Sequence, residues 1–156
     1  MIKWTRILSV GVLLAVVSFA AVANASARSS AAHGPAVGTV DLAKTARGEI
    51  LVSSTGFTLY EFTKDKNGED SCVETTGCPH FWPPLMVTGT PTAGAGVKAS
   101  LLSTIALAGG GSQVTYDGHP LYTYSGDSGP GETDYIGARA FGGYWYGLRR
   151  GGRAVL

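Results

Sequence analysis

The sequence predicts an all-β, or β-dominated, domain made of two tandem homologous β-hairpin-plus-strand units, and three observations lead there. Twenty-three glycines and seven prolines in 156 residues favour many short strands and turns over long helices. Sliding the chain by 62 residues lays Gly56 on Gly118, Leu59 on Leu121, Tyr60 on Tyr122, Phe62 on Tyr124 and Asp65 on Asp127. Val52 falls on Val114 in the same frame, and one further residue of offset lays Phe81 on Tyr144, Trp82 on Trp145 and Leu85 on Leu148. Self-similarity at a fixed period marks a duplicated structural unit. Finally, each copy carries β-favouring runs set against turn residues: Glu49 to Ser53 before Ser54-Thr55-Gly56, and Gln113 to Tyr116 before Asp117-Gly118, a strong hairpin signal.

The return strands of these hairpins are expected at Thr58 to Thr63 and Leu121 to Ser125. Side chains alternate across a strand, so Tyr60 and Phe62 share one face while Leu59, Glu61 and Thr63 take the other. Tyr122 and Tyr124 repeat the pattern. Trp82 and Trp145 follow as aromatic anchors, each able to seed a small core in its unit. A lone three-stranded unit is marginal in water, so the two copies are expected to pack together or complete one sheet.

The organisation along the chain follows. Residues 1–25 have the layout of a secretory signal: Lys3 and Arg6, an uncharged run from Ile7 to Ala23, then Ala23-Asn24-Ala25 as a cleavage site. The apolar run is at the lower limit for crossing a hydrocarbon core of roughly 30 Å, so retention as an anchor is the physical alternative. Residues 26–47 read as an Ala/Ser/Gly-rich tether, 48–88 as the first unit, 89–109 as a linker with a short helical turn, and 110–150 as the second unit. Cleavage leaves ten Lys or Arg against eleven Asp or Glu, which points away from nucleic acid.

Cys72 and Cys78 are the only cysteines. In an exported chain two cysteines this close read first as a disulfide, with free thiols or metal ligation as alternatives. As thiolates they could join His80, with Met86 or His119, around copper or zinc, although their spacing fits no standard zinc pattern. Asp65-Lys66-Asn67-Gly68-Glu69-Asp70 has alternating oxygen ligands but lacks the full calcium-loop pattern. The histidines are His33, His80 and His119, and no Gly-x-Ser-x-Gly elbow, phosphate loop or dinucleotide fingerprint accompanies them, so an enzyme is not the expectation. No catalytic residue and no cofactor is assigned.

The Thr58-Leu59-Tyr60-Glu61-Phe62-Thr63-Lys64-Asp65 stretch, Trp82-Pro83-Pro84-Leu85, and Leu121-Tyr122-Thr123-Tyr124-Ser125-Gly126-Asp127 together resemble a bacterial family. That family is described as predicted lipoproteins with a Yx(F/W/Y)xxD motif, or as the secreted repeat of unknown function. The resemblance covers about residues 44–150 and implies export, but no reaction and no catalytic residues. No cysteine stands where a lipid would be attached, so the expected location is secreted or in the periplasm or cell envelope without a lipid anchor. The expected role is a non-enzymatic binding or structural protein, monomeric, whose partner is a small molecule, a glycan or an envelope protein. The alternative is a metal-binding or redox-linked accessory protein using Cys72, Cys78 and His80. The motif aspartates are expected to close turns as backbone acceptors, against a paired-carboxylate site formed where the copies meet.

Overall fold

The computed structural model describes residues 38–66 and 68–156; the segment expected to be a secretory signal and the expected tether up to residue 37 lie outside the described residues. The described chain is strand-dominated, with eleven short strands in three small sheets. Strand β1 (Thr39–Thr45) turns through Ala46-Arg47 into β2 (Gly48–Ser53), with Thr45 opposite Gly48. Strand β1 thus lies inside the stretch assigned to the tether. Its sequence is rich in Ala, Thr and Lys, which masks a period of two: Val40 and Leu42 pack in one apolar cluster while Ala43 packs in another.

The first return segment is shorter than expected, a bridge from Val52 to Thr58 and then β3 (Tyr60–Phe62). A helical turn, α1 (Cys78–Phe81), precedes β4 (Met86–Val87) and β5 (Thr92–Ala93). The expected linker is also largely structured. It contains β5, which pairs in parallel with β1, one 3-10 turn at Ala99–Leu101, and β6 (Leu102–Ala106). Strand β6 is the second copy's equivalent of β1 and pairs antiparallel with β7 (Ser112–Tyr116). The Asp117-Gly118 turn then leads to β8 (His119–Pro120), its two residues at φ 51° and 82° as a primed hairpin turn demands.

The structure corrects the repeat frame by one residue in this region. Leu59 N–H donates to the Leu51 carbonyl, and Leu121 N–H to that of Val114, so the spatial counterpart of Val114 is Leu51, not Val52. The first turn is one residue longer than the Asp-Gly turn, which shifts β2 against β7; before them Leu42, opposite Leu51, answers Thr104, opposite Val114, and the 62-residue frame returns.

The copies are intertwined. After α1 the first copy crosses to the second: Leu85 N–H donates to the Leu121 carbonyl, Val114 N–H donates back to Leu85, and β4 pairs with β7. Reciprocally, β10 (Gly143–Leu148) lies on β3, with Trp145 opposite Phe62 and Gly147 opposite Tyr60. Strands β9 (Ala138–Ala140) and β11 (Ala154–Val155) pair with β10. Each copy therefore places its last strand in the other's sheet. The expectation that each unit nucleates its own core gives way to two shared cores. One holds Tyr60, Phe62, Trp82, Tyr122 and Trp145; the other holds Leu59, Leu85, Leu121 and Leu148. The alternation read along the return strands separates the aromatic from the aliphatic cluster.

Candidate functional site

The two motif segments meet at their first tyrosines. Tyr60 N–H donates to the Tyr122 carbonyl at 2.9 Å and Tyr122 N–H to the Tyr60 carbonyl at 3.0 Å. Antiparallel crossing here sends each phenol toward the other copy's aspartate. Tyr122 Oη donates to Asp65 Oδ2 at 2.7 Å, and Tyr60 Oη lies 3.2 Å from both oxygens of Asp127. The signature is thus completed only between copies.

Asp65 also accepts the Ser71 N–H at 2.8 Å, six residues on. Asp127 is 4 % exposed, with Glu132 and Asp134 in its electrostatic field. Burial raises both carboxyls, Asp65 to about 6 and Asp127 to about 7, with the tyrosine bonds opposing the shift. Both phenols are raised far above their ordinary range, again by burial first and by the facing carboxylates second. Each aspartate thus sits with acidic neighbours from its own copy and a phenol from the other.

The tryptophans stack face to face across the junction, centroids 3.9 Å apart and planes 3° from parallel. Phe62 stacks on Trp145 at 4.2 Å; Tyr124 meets Trp82 at 4.2 Å, tilted by 33°, and Tyr135 extends the column beyond Tyr124 at 4.1 Å, tilted by 51°. Tyr60 and Tyr122 meet the column edge-on, at Trp82 and Trp145. All six motif residues and both anchor tryptophans therefore belong to one constellation.

Where the column reaches the surface it borders a groove of about 370 Å³, lined by Phe81, Trp82, Tyr124, Tyr135, Phe141 and strand β9. Both copies contribute, and the volume falls in the range of small-molecule sites. Phe81 is 47 % exposed, an uncommon state for a phenylalanine. Phe141 opens the Phe141-Gly142 turn of the β9–β10 hairpin at φ 54°. Asp117 holds the same conformation in the β7–β8 turn, where an Asp is usual; a bulky aromatic there is strained.

Cys72 and Cys78 form a disulfide with 5.3 Å between Cα atoms, buried beside Trp82 in the aromatic core. The bond withdraws both sulfurs as thiolate ligands, and His80 is exposed, its ring edge-on to Phe81. Among the described residues no group of three His, Cys, Asp or Glu is placed to hold a metal ion. Opening the disulfide with Cys72→Ser/Cys78→Ser is expected to lower stability by about 2 kcal/mol, the entropy of a short closed loop. Guanidinium denaturation of the variant measures it.

Sequence reasoning missed one pair. His119 Nδ1 lies 2.6 Å from Glu61 Oε2, which raises the imidazole above its ordinary value. Glu61 is buried between Tyr60 and Phe62, and a carboxylate inside so apolar a strand was the available signal.

The fold and this constellation define a class: an intertwined two-repeat β domain whose signature residues pair across the repeats. The chain belongs to the family described as the secreted repeat of unknown function, whose model matches residues 41–86 and 103–148. Each match runs from the first hairpin strand to the strand given to the other copy. Neither the curated proteins nor the solved structures provide a match. Among the described residues no helix is long and apolar enough to cross a membrane.

Proposed function

We propose that this is a non-enzymatic binding protein of the extracellular space or cell envelope, held without a lipid anchor, whose ligand seat is the aromatic groove where the copies meet. The observation that carries this reading is Phe141. Its strained backbone is energetically unfavourable by about 1–2 kcal/mol, and its ring faces Phe81 across the groove at 6.1 Å. Asn tolerates that conformation, so stability alone favours Asn there. Retaining a phenylalanine is what a ring needed for contact explains.

Phe141→Asn is therefore expected to hold or raise the melting temperature while weakening binding. The probe is 8-anilinonaphthalene-1-sulfonate, followed by its fluorescence and by quenching of Trp82, beside a soluble chitin oligosaccharide and an aromatic-rich peptide. Phe81→Ser should weaken the same interaction. Equal binding by wild type and both variants would refute the groove as the seat. The disulfide favours this reading over the metal-binding alternative. Thiol counting with native mass spectrometry of protein from its own compartment tests that choice, two free thiols and a stoichiometric metal being the contrary result.

A further inference from the structure

The stacked column and the crossed tyrosine–carboxylate bonds form an arrangement that ligand binding does not require. Five rings, Phe62, Trp145, Trp82, Tyr124 and Tyr135, follow one another with centroids 3.9 to 4.2 Å apart. The Tyr124–Tyr135 end borders the open groove, and the Phe62 end is buried. Tyr122 touches the column at Trp145, centroids 5.1 Å apart, and Tyr60 touches it at Trp82, 5.2 Å apart. Both phenols already point their protons at carboxylates. By contrast, the Trp145 indole N–H is buried without an acceptor among the described residues.

We propose that this array is a one-electron relay, in which an oxidant of the peroxyl-radical class entering the groove draws an electron through the column and leaves the oxidation on Tyr122 or Tyr60. The peroxyl radical gains the electron and departs as the hydroperoxide anion. Trp145, lacking an acceptor for its N–H proton, stays a cation radical, a stronger oxidant than a tyrosyl radical. It is reduced by Tyr122, whose phenolic proton passes along the 2.7 Å bond to Asp65 Oδ2. The products are tryptophan, a neutral tyrosyl radical and a carboxylic acid. The protein has lost one electron and kept the proton. Tyr60 and Asp127 supply the equivalent step beside Trp82. Both radical sites are fully buried, away from reactive partners in solvent.

Purely structural packing needs a hydrogen-bond acceptor for each buried phenol but not a basic one, and this difference makes the test. The chain is oxidised by flash-generated tris(bipyridine)ruthenium(III), with transient absorption and electron paramagnetic resonance identifying the radicals. In the wild type a tryptophanyl signal should decay into a tyrosyl one. Tyr60→Phe/Tyr122→Phe should lose the tyrosyl signal and prolong the tryptophanyl one. Asp65→Asn/Asp127→Asn, which leaves an amide oxygen facing each phenol but removes the basic carboxylates, should do the same in protein shown to be folded by circular dichroism. Tyr144→Phe/Tyr146→Phe, on the outer face, should change nothing. A tyrosyl signal that survives both core double variants, or disappears in the surface one, overturns the proposal.

Discussion

Trp145→Ala is expected to remove about 3–5 kcal/mol of stability, the usual cost of emptying a buried aromatic site. Trp145 is 0 % exposed and lies between Phe62 and Trp82, with Tyr122 edge-on, so the cavity would open where both copies meet. Little room exists for collapse: even a Cβ on nearby Gly143 would fall 2.5 Å from Phe62 Cε2. Domains of this size have about 5–15 kcal/mol in all, so the variant should be near the limit of folding. Because the cores are shared, loss should appear as one cooperative transition, not as the melting of one copy. Guanidinium denaturation read by far-UV circular dichroism measures it. The neighbouring Tyr144, 45 % exposed, supplies the control, and Tyr144→Ala should stay within about 0.5 kcal/mol. A cost below about 1 kcal/mol for Trp145→Ala would mean that the stack is not what joins the copies.

The second large effect is a pH dependence opposite to ordinary acid denaturation. Asp65 and Asp127 have folded values of about 6 and about 7 against 3.8 for the free side chain, so between these limits the folded chain binds more protons than the unfolded one. Their contribution is fully present below about 3.8 and is lost as pH rises through about 6 and 7. His119, also raised, acts in the same sense; Glu132, lowered by its bonds to Ser128, acts oppositely, but only near and below the ordinary glutamate value. From pH 8 to pH 5 stability should therefore increase, on the order of 2–4 kcal/mol for the two aspartates together. Asp127→Asn keeps an acceptor for the Tyr60 phenol and removes the charge, whereas Asp65→Asn keeps one for the Tyr122 phenol but turns an amide N–H toward the Ser71 N–H that Oδ1 accepts. The double variant should flatten the profile, and Asp127→Asn alone should, at pH 8, match or exceed the wild type, since the Asp65→Asn half carries the cost of the lost Ser71 bond. Melting temperatures across that range decide the matter, and a wild-type profile that falls toward acid contradicts it. The expectation from turn closure, that these substitutions lower stability, keeps a basis at Asp65, whose Oδ1 accepts the Ser71 N–H across the bend.

Much of the architecture was legible in the residues. The duplicated aromatic pattern, the alternation along Leu59 to Phe62, the Asp117-Gly118 turn and the Cys72–Cys78 pairing are local or periodic signals, set by backbone preferences over a few positions. The weakly patterned strands β1 and β6 were hidden, because their small side chains imitate linker composition and their places are fixed by distant partners. The repeat showed which residues recur but not that each copy completes the other.

The sequence by itself determined that Tyr60, Phe62 and Asp65 have equivalents in Tyr122, Tyr124 and Asp127, and that a strand followed by a polar bend carries each set. Only the tertiary structure decided which tyrosine faces which aspartate. The Tyr60–Tyr122 backbone bridge relates the motif segments antiparallel, so the phenol of one copy reaches the carboxyl of the other. Such pairing depends on chain crossing between positions 57 and 67 residues apart, about which local preferences and side-chain period carry no information.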